Sequence, residues 1–106
     1  MKLKPGVKFG NPVMAICFAS QVAESVFTKY NYGYIITSVN DGKHSEGSKH
    51  YTNEAIDIRT KHLPDDGVLK KQVASEIKEA LGEDFDVILE SLGGQSEHIH
   101  CEYDPK

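Results

Sequence analysis

Two amphipathic helical segments divide this chain, and each is followed by two short segments rich in β-forming residues. In both helical segments the apolar residues recur at a spacing of three and four, which predicts one buried stripe per helix. The order of elements is helix, strand, strand, helix, strand, strand, and it predicts an α+β fold. We expect two principal helices on one face of a small, mainly antiparallel sheet of about four strands, at residues 34–39, 55–59, 85–89 and 98–103.

The ends of both helices carry recognisable signals. Asn11 precedes a proline and is the predicted cap of the first helix. This helix is predicted to extend to about Tyr30 and to be ended by residues 31–33, in which Gly33 is a natural stop. The second helix is predicted to begin at Asp65 or Asp66 and to end at Gly82.

Length and charge exclude several classes of protein. With 106 residues the chain is one domain, residues 1–106, of which the first 11 are expected to be a loosely ordered lead-in. A net charge of −4 gives no support to a nucleic-acid or anionic-membrane surface. No apolar run approaches the roughly 20 residues that span a bilayer. We therefore expect a monomer that is not inserted in a membrane and is synthesised in the cytoplasm without a secretion signal.

The two cysteines, Cys17 and Cys101, have no metal-binding or redox spacing. Both are predicted to be small buried hydrophobic residues. A bridge between them stays open, because the sequence does not give their separation.

Two of the predicted strands carry polar side chains on the face away from the core. On residues 55–59, a period of two places Asp57 opposite the neighbouring isoleucines. On residues 98–103, the same period places His98, His100 and Glu102 on one face. A solvated face explains either strand alone, whereas both together favour a metal site.

The ligand chemistry points to zinc. Imidazole and carboxylate suit Zn²⁺, and a catalytic zinc has three protein ligands and an open water position. His50, Asp57 and one histidine near the C-terminus would provide that set. His50 and Asp57 are an odd number of residues apart, so a turn near Asn53 must bring them together.

A motif resemblance makes this hypothesis more specific. Ser48 and His50, with Asp57 seven residues after the histidine, resemble the S-x-H-x-x-G-x-A-x-D motif of the D-alanyl-D-alanine carboxypeptidase and dipeptidase family of zinc peptidases. The later motif of that family, a Glu three residues before the last zinc-binding His, matches Glu97 and His100. The resemblance implies one zinc per chain on His50, Asp57 and His100, Glu97 as general base, and Ser48 near the substrate.

The resemblance extends to short phage-type members of the family and to the signalling domain of hedgehog proteins, a fold relative that holds zinc. The chain departs from the family at Asn53, where a Gly is usual, and no Arg follows the strand at residues 34–39, where Lys43 is the available cation. Glu90 competes with Glu97 for the role of base. His98 and His44 are expected to support the site or stabilise an oxyanion.

The function implied is hydrolysis of an amide bond in peptidoglycan stem peptides by a zinc-activated water. Both a D-Ala-D-Ala carboxypeptidase and an L-Ala-D-Glu type of endopeptidase fit. A phage lytic or tail-associated enzyme that acts at the cell wall is the expected setting. The alternative is a non-catalytic, zinc-stabilised binding domain like that of hedgehog proteins, and a metal-free domain with a polar cleft is a third interpretation.

Overall fold

Two helices and a five-stranded mixed sheet make up the computed structural model, which describes residues 2–5, 14–39, 54–64 and 67–105. The helices are α1 (Met14–Lys29) and α2 (Val68–Leu81). The strands are β1 (Lys2–Leu3), β2 (Ile35–Ser38), β3 (Ala55–Arg59), β4 (Phe85–Glu90) and β5 (His98–Tyr103). The α+β fold class is confirmed.

The strands lie in the order β1-β2-β3-β5-β4. All neighbours are antiparallel except β1, which runs parallel to β2. This edge strand lies where a loosely ordered lead-in was predicted. Its two residues are exposed, and the backbone N–H groups of Lys2 and Lys4 donate to the carbonyls of Tyr34 and Ile36. Because backbone hydrogen bonds form this strand and its side chains are exposed, no side-chain pattern in the sequence predicted it.

The core lies between the helices and one face of the sheet. Ile56 and Ile58 of β3 and Ile99 of β5 have no solvent exposure, and they pack in one cluster with Phe27 of α1 and Ile77 of α2. Because side chains alternate along a strand, the residues between these isoleucines lie on the opposite face of the sheet. That opposite face carries Asp57, His98 and His100.

The two helices end at different kinds of residue: an asparagine follows α1 and a glycine follows α2. α1 ends before Asn31, whose φ of 65° is left-handed. The N–H of Asn31 donates to Thr28 and that of Tyr32 to Phe27, which is the Schellman pattern. Asparagine tolerates this conformation. The helix therefore ends within one residue of the predicted Tyr30, and the left-handed residue is Asn31 of the predicted terminating segment rather than Gly33.

The second helix, α2, ends at Gly82 as predicted, with a φ of 86°. Its N-terminal cap is Gly67 in a left-handed conformation, without a side-chain cap bond. The predicted caps Asp65 and Asp66, like Asn11 at the start of the first helix, lie outside the described residues.

The two cysteines are free. Cys101 is buried, as predicted, whereas Cys17 is exposed on α1, so the prediction of a buried Cys17 is wrong. In the described ranges, neither helix has the length and apolar character needed to cross a membrane.

Candidate metal centre

Three potential ligands meet on the face of the sheet that lies away from the helices. Asp57 of β3 is paired directly with His100 of β5, and His98 is paired with Arg59 of β3. One donor atom each from Asp57, His98 and His100 can be chosen so that all three atoms lie within 4.8 Å of one another. The group is half-buried. Strand pairing therefore produces a three-residue cluster from residues more than 40 positions apart in the chain.

The ring of His98 is held in the orientation that a metal ligand needs. Its Nδ1 lies 2.6 Å from the carbonyl oxygen of Ser96. A carbonyl only accepts, so this nitrogen is the donor and carries a proton. In the neutral ring, Nε2 then keeps a free lone pair, and it lies 3.6 Å from Oδ1 of Asp57.

The ring of His100 has an acidic partner at each nitrogen. Nδ1 lies 2.9 Å from Oδ1 of Asp57, and Nε2 lies 2.8 Å from Oε1 of Glu102. Burial lowers the pKa of His100, but the hydrogen bonds to Asp57 and Glu102, together with their charges, outweigh this effect and raise the pKa to about 9. Without a metal, His100 is therefore an imidazolium that donates to both carboxylates.

A divalent metal ion fits this arrangement. Metal ligands in a tetrahedral site with bonds of about 2.1 Å lie about 3.4 Å apart. The separations from Asp57 Oδ1 to His100 Nδ1 and to His98 Nε2, 2.9 and 3.6 Å, bracket that value. Loss of the Nδ1 proton would give His100 a lone pair for the metal, and its Nε2 would still donate to Glu102. Two imidazoles and a carboxylate suit several divalent transition metals.

Glu102 shares a face with His98 and His100 but was not among the predicted site residues, and it contacts the site through His100. A carboxylate on the second nitrogen of a ligating histidine orients the ring and raises its basicity. The signal was present in the sequence, because a period of two places Glu102 beside His100 on the same face. It was missed because an isolated acidic residue near a C-terminus is more often solvated.

Glu97, the predicted general base, is not brought to this cluster. It is 5% exposed, and its carboxylate accepts hydrogen bonds from Thr60 Oγ1 at 2.5 Å and from the N–H of Gly93 at 2.9 Å. It also forms an ion pair with Lys70 Nζ of α2 at 2.8 Å. Lys70 belongs to α2, which packs on the face of the sheet opposite to His98 and His100, so the Glu97 carboxylate is directed away from the cluster. Its role as base stays a prediction that this placement does not support.

Glu90, the competing base, lies on the same face as the cluster. It is paired with His98 across β4 and β5, and its Oε1 is 3.9 Å from His98 Nε2. Its side chain is 44% exposed, so the carboxylate is accessible to solvent.

The remaining predicted site residues, His44, Ser48 and His50, lie outside the described residues. Of the predicted ligands, the described part of the chain therefore brings together Asp57 and His100. It adds His98, which was expected only to support the site.

Comparisons with known proteins leave the family open. A scan of the chain against protein-family models found no match, and a search of curated proteins also found none. The resemblance to the D-alanyl-D-alanine peptidase family therefore rests on the motif residues themselves.

Proposed function

We propose that this protein is a zinc-dependent peptidase that hydrolyses an amide bond in peptidoglycan stem peptides. The observation that supports it most is the convergence of Asp57, His98 and His100, in which both histidines have their second nitrogen bonded to an acceptor. The motif resemblance supplies the substrate class. Zinc is the preferred metal, because neutral imidazole with one carboxylate is the ligand set of many hydrolytic zinc sites.

Three protein ligands would hold the metal and leave one position open. A zinc ion held by these ligands would lower the pKa of a water in the open position towards neutrality and would polarise the scissile carbonyl. In the reaction, the water oxygen joins the carbonyl carbon, the C–N bond breaks, and a carboxylate and an amine are released. The motif resemblance implies His50, Asp57 and His100 as the three ligands, and in that set His50 would take the place of His98.

Glu90 is the general base in this proposal. It lies beside His98 on the face of the cluster, and its carboxylate reaches solvent. It would accept a proton from the attacking water and pass it to the leaving amine, a contribution of about 10²–10⁴-fold in rate. Glu97 would instead stabilise the fold through its ion pair with Lys70.

The test combines zinc content with cleavage. The zinc-loaded protein is incubated with purified peptidoglycan, and released amines and peptide masses are measured. We expect cleavage by the wild type. Glu90→Gln should lower the cleavage rate by at least about 10²-fold while it retains one zinc per chain. The control Glu79→Gln, on the exposed side of α2, should cleave at the wild-type rate. Fully zinc-loaded wild type that cleaves no stem peptide would refute the peptidase.

A non-catalytic, zinc-stabilised domain is the second candidate, and the burial of Glu97 in an ion pair favours it. The number of protein ligands separates the two candidates, since a structural zinc site has four and a catalytic site three. X-ray absorption of the zinc protein counts them. Four protein ligands, with one lost in His50→Ala, would support the non-catalytic domain, whereas three and a water support the peptidase.

A further inference from the structure

The backbone carbonyl of Ser96 determines which nitrogen of His98 faces the candidate metal centre. It accepts from Nδ1 of His98 at 2.6 Å, so the proton of the neutral ring lies on Nδ1 and the lone pair of Nε2 is available on the side of Asp57. An acceptor on the second nitrogen of a ligating histidine fixes both the tautomer and the orientation of the ring. The geometry of His98 therefore depends on how firmly the Ser96 carbonyl is held.

The loop between β4 and β5, residues 91–97, holds that carbonyl only weakly through its own backbone. The side chains that precede Glu97 in this loop are all exposed. The N–H of Gly94 donates to the carbonyl of Ser91 at 2.8 Å and closes a tight turn. Beside the Ser96 carbonyl, however, the N–H of Glu97 donates to Gly94 at 3.3 Å, which is longer than the usual N–H···O separation of about 2.9–3.0 Å.

The carboxylate of Glu97 anchors the same part of the loop from inside the protein. It is 5% exposed, and it accepts hydrogen bonds from Thr60 Oγ1 at 2.5 Å and from the N–H of Gly93 at 2.9 Å. Its two oxygens lie 2.8 and 3.1 Å from Nζ of Lys70. Thr60 directly follows β3, Lys70 belongs to α2 and Gly93 lies in the loop, so one side chain joins the loop to two elements of the core.

We propose that Glu97 is a positioning residue for the metal ligand His98. Thr60 and Lys70 hold its carboxylate in place. Because the Ser96 carbonyl and the backbone nitrogen of Glu97 belong to one peptide group, a fixed Glu97 fixes the oxygen that orients His98. The proposal rests on the proposed function, since it takes His98 as a ligand of zinc.

A positioning role differs from a purely structural one in what it does to the imidazole of His98. If Glu97 acted on stability alone, any core variant of equal cost would have the same effect on the metal centre. Positioning instead predicts that loss of the hydrogen bonds to Glu97 changes the tautomer of His98 in the folded protein, before any zinc is added. The tautomer is therefore the property to measure.

Two double variants form a matched pair for this measurement. Lys70→Met with Glu97→Gln keeps an oxygen that can accept from the N–H of Gly93, whereas Lys70→Met with Glu97→Met removes it. Nitrogen-15 NMR of the full-length, zinc-free protein in alkaline solution gives the tautomer of His98, and competition with a chelator gives the zinc affinity. We expect the proton on Nδ1 in the wild type and in the first variant. In the second variant we expect a mixture of tautomers and zinc binding weaker by about 10–100-fold.

A second pair of variants makes a smaller change at the same carboxylate. Thr60→Ser keeps the hydroxyl that donates to Glu97, and Thr60→Val removes it at nearly constant size, so only Thr60→Val should alter the tautomer and weaken zinc binding. Ile77→Ala is the control for stability, because Ile77 is fully buried in the core on α2. It should lower stability but keep the wild-type tautomer and zinc affinity.

The outcomes separate the positioning role from its alternatives. A wild-type tautomer and zinc affinity in both Thr60→Val and the double variant with Glu97→Met would overturn the proposal, and if that double variant does not fold, the Thr60 pair decides. An equal change in Ile77→Ala would overturn it in favour of stability alone, and an unchanged zinc affinity in His98→Ala would show that His98 is not a ligand. The expected tautomers and affinities in a protein that cleaves no stem peptide would support the positioning role while the proposed reaction fails.

Discussion

The buried ion pair between Glu97 and Lys70 offers the sharpest quantitative test of the fold. The two side chains are 2% and 4% exposed, and their charged atoms lie 2.8 Å apart. Glu97→Gln keeps the size of the side chain but removes the negative charge that lies against the buried ammonium of Lys70. Breaking one partner of such a pair costs about 3–5 kcal/mol.

Urea denaturation measures this loss directly. A domain of this size has a free energy of unfolding of about 5–15 kcal/mol, so the variant would lose a large share of its stability. Each kcal/mol lowers the melting temperature by about 4–8 °C in a domain of roughly 100 residues, and the expected fall is therefore at least about 12 °C.

The pH dependence supplies an independent check. Burial raises the pKa of Glu97, but the hydrogen bonds from Gly93, Lys70 and Thr60 and the charge of Lys70 outweigh it and hold the pKa at about 2, against 4.5 in the unfolded chain. A lowered pKa in the folded state means that this stabilisation is complete above about pH 4.5 and is lost as the pH falls towards 2. The difference between wild type and Glu97→Gln should shrink over that window.

Two further variants identify the cause. Glu90→Gln, on the half-exposed carboxylate of the opposite face, should change stability by less than about 0.5 kcal/mol. The double variant Lys70→Met with Glu97→Gln should recover part of the loss, because it removes the buried ammonium together with the carboxylate charge, while the glutamine oxygen can still accept from Thr60 and Gly93. A Glu97→Gln protein within about 1 kcal/mol of the wild type at pH 7 would refute the buried pair.

Three other predictions follow from single residues. Zinc affinity should rise about tenfold per pH unit between about pH 6 and 8, because His100, with a pKa raised to about 9, must release one proton when it binds the metal. Calorimetry in buffers of different ionisation enthalpy counts the protons released. Zinc binding that releases no proton would exclude His100 as a ligand. A disulfide-exchange reagent should react rapidly with the exposed Cys17. It should react with Cys101 only in denaturant, because that thiol is buried and burial raises its pKa to about 12. Two rapidly reacting thiols in the native protein would contradict the fold. Asn31→Ala should lower the free energy of unfolding, measured by urea denaturation, by about 1 kcal/mol, because φ at this position is 65°. Asn31→Gly should leave it almost unchanged. Equal losses in the two variants would argue against the left-handed cap.

The central strands were the easiest elements to predict. The bounds of β3 and β5 agree with the sequence prediction, because apolar and polar residues alternate along residues 56–59 of β3 and along most of β5. That alternation also placed Asp57 and His100 on the open face. Their direct pairing was not predictable from either strand, because strand order and register depend on the whole sheet.

Two site predictions depended on spacing in a motif rather than on strand geometry. Glu97 and His100 are an odd number of residues apart, so an extended chain sends them to opposite faces. His98 and His100 are two apart and share a face, which is why His98 joins the cluster. Sequence reasoning that gave the period of two priority over the motif would have placed His98 among the ligands and Glu97 outside the site.

The position of β4 at the border of the sheet has a consequence for how this protein behaves at high concentration. In the part of the chain that the structure describes, β4 pairs with β5 on one side only, and Ile88 on it is 51% exposed. An unpaired strand with an exposed isoleucine can template the addition of another chain. Asp86 and Glu90 flank Ile88 on the same face, so two stacked copies would bring like charges together. Charged side chains on an edge strand oppose such self-association, and Asp86 and Glu90 have this effect on β4.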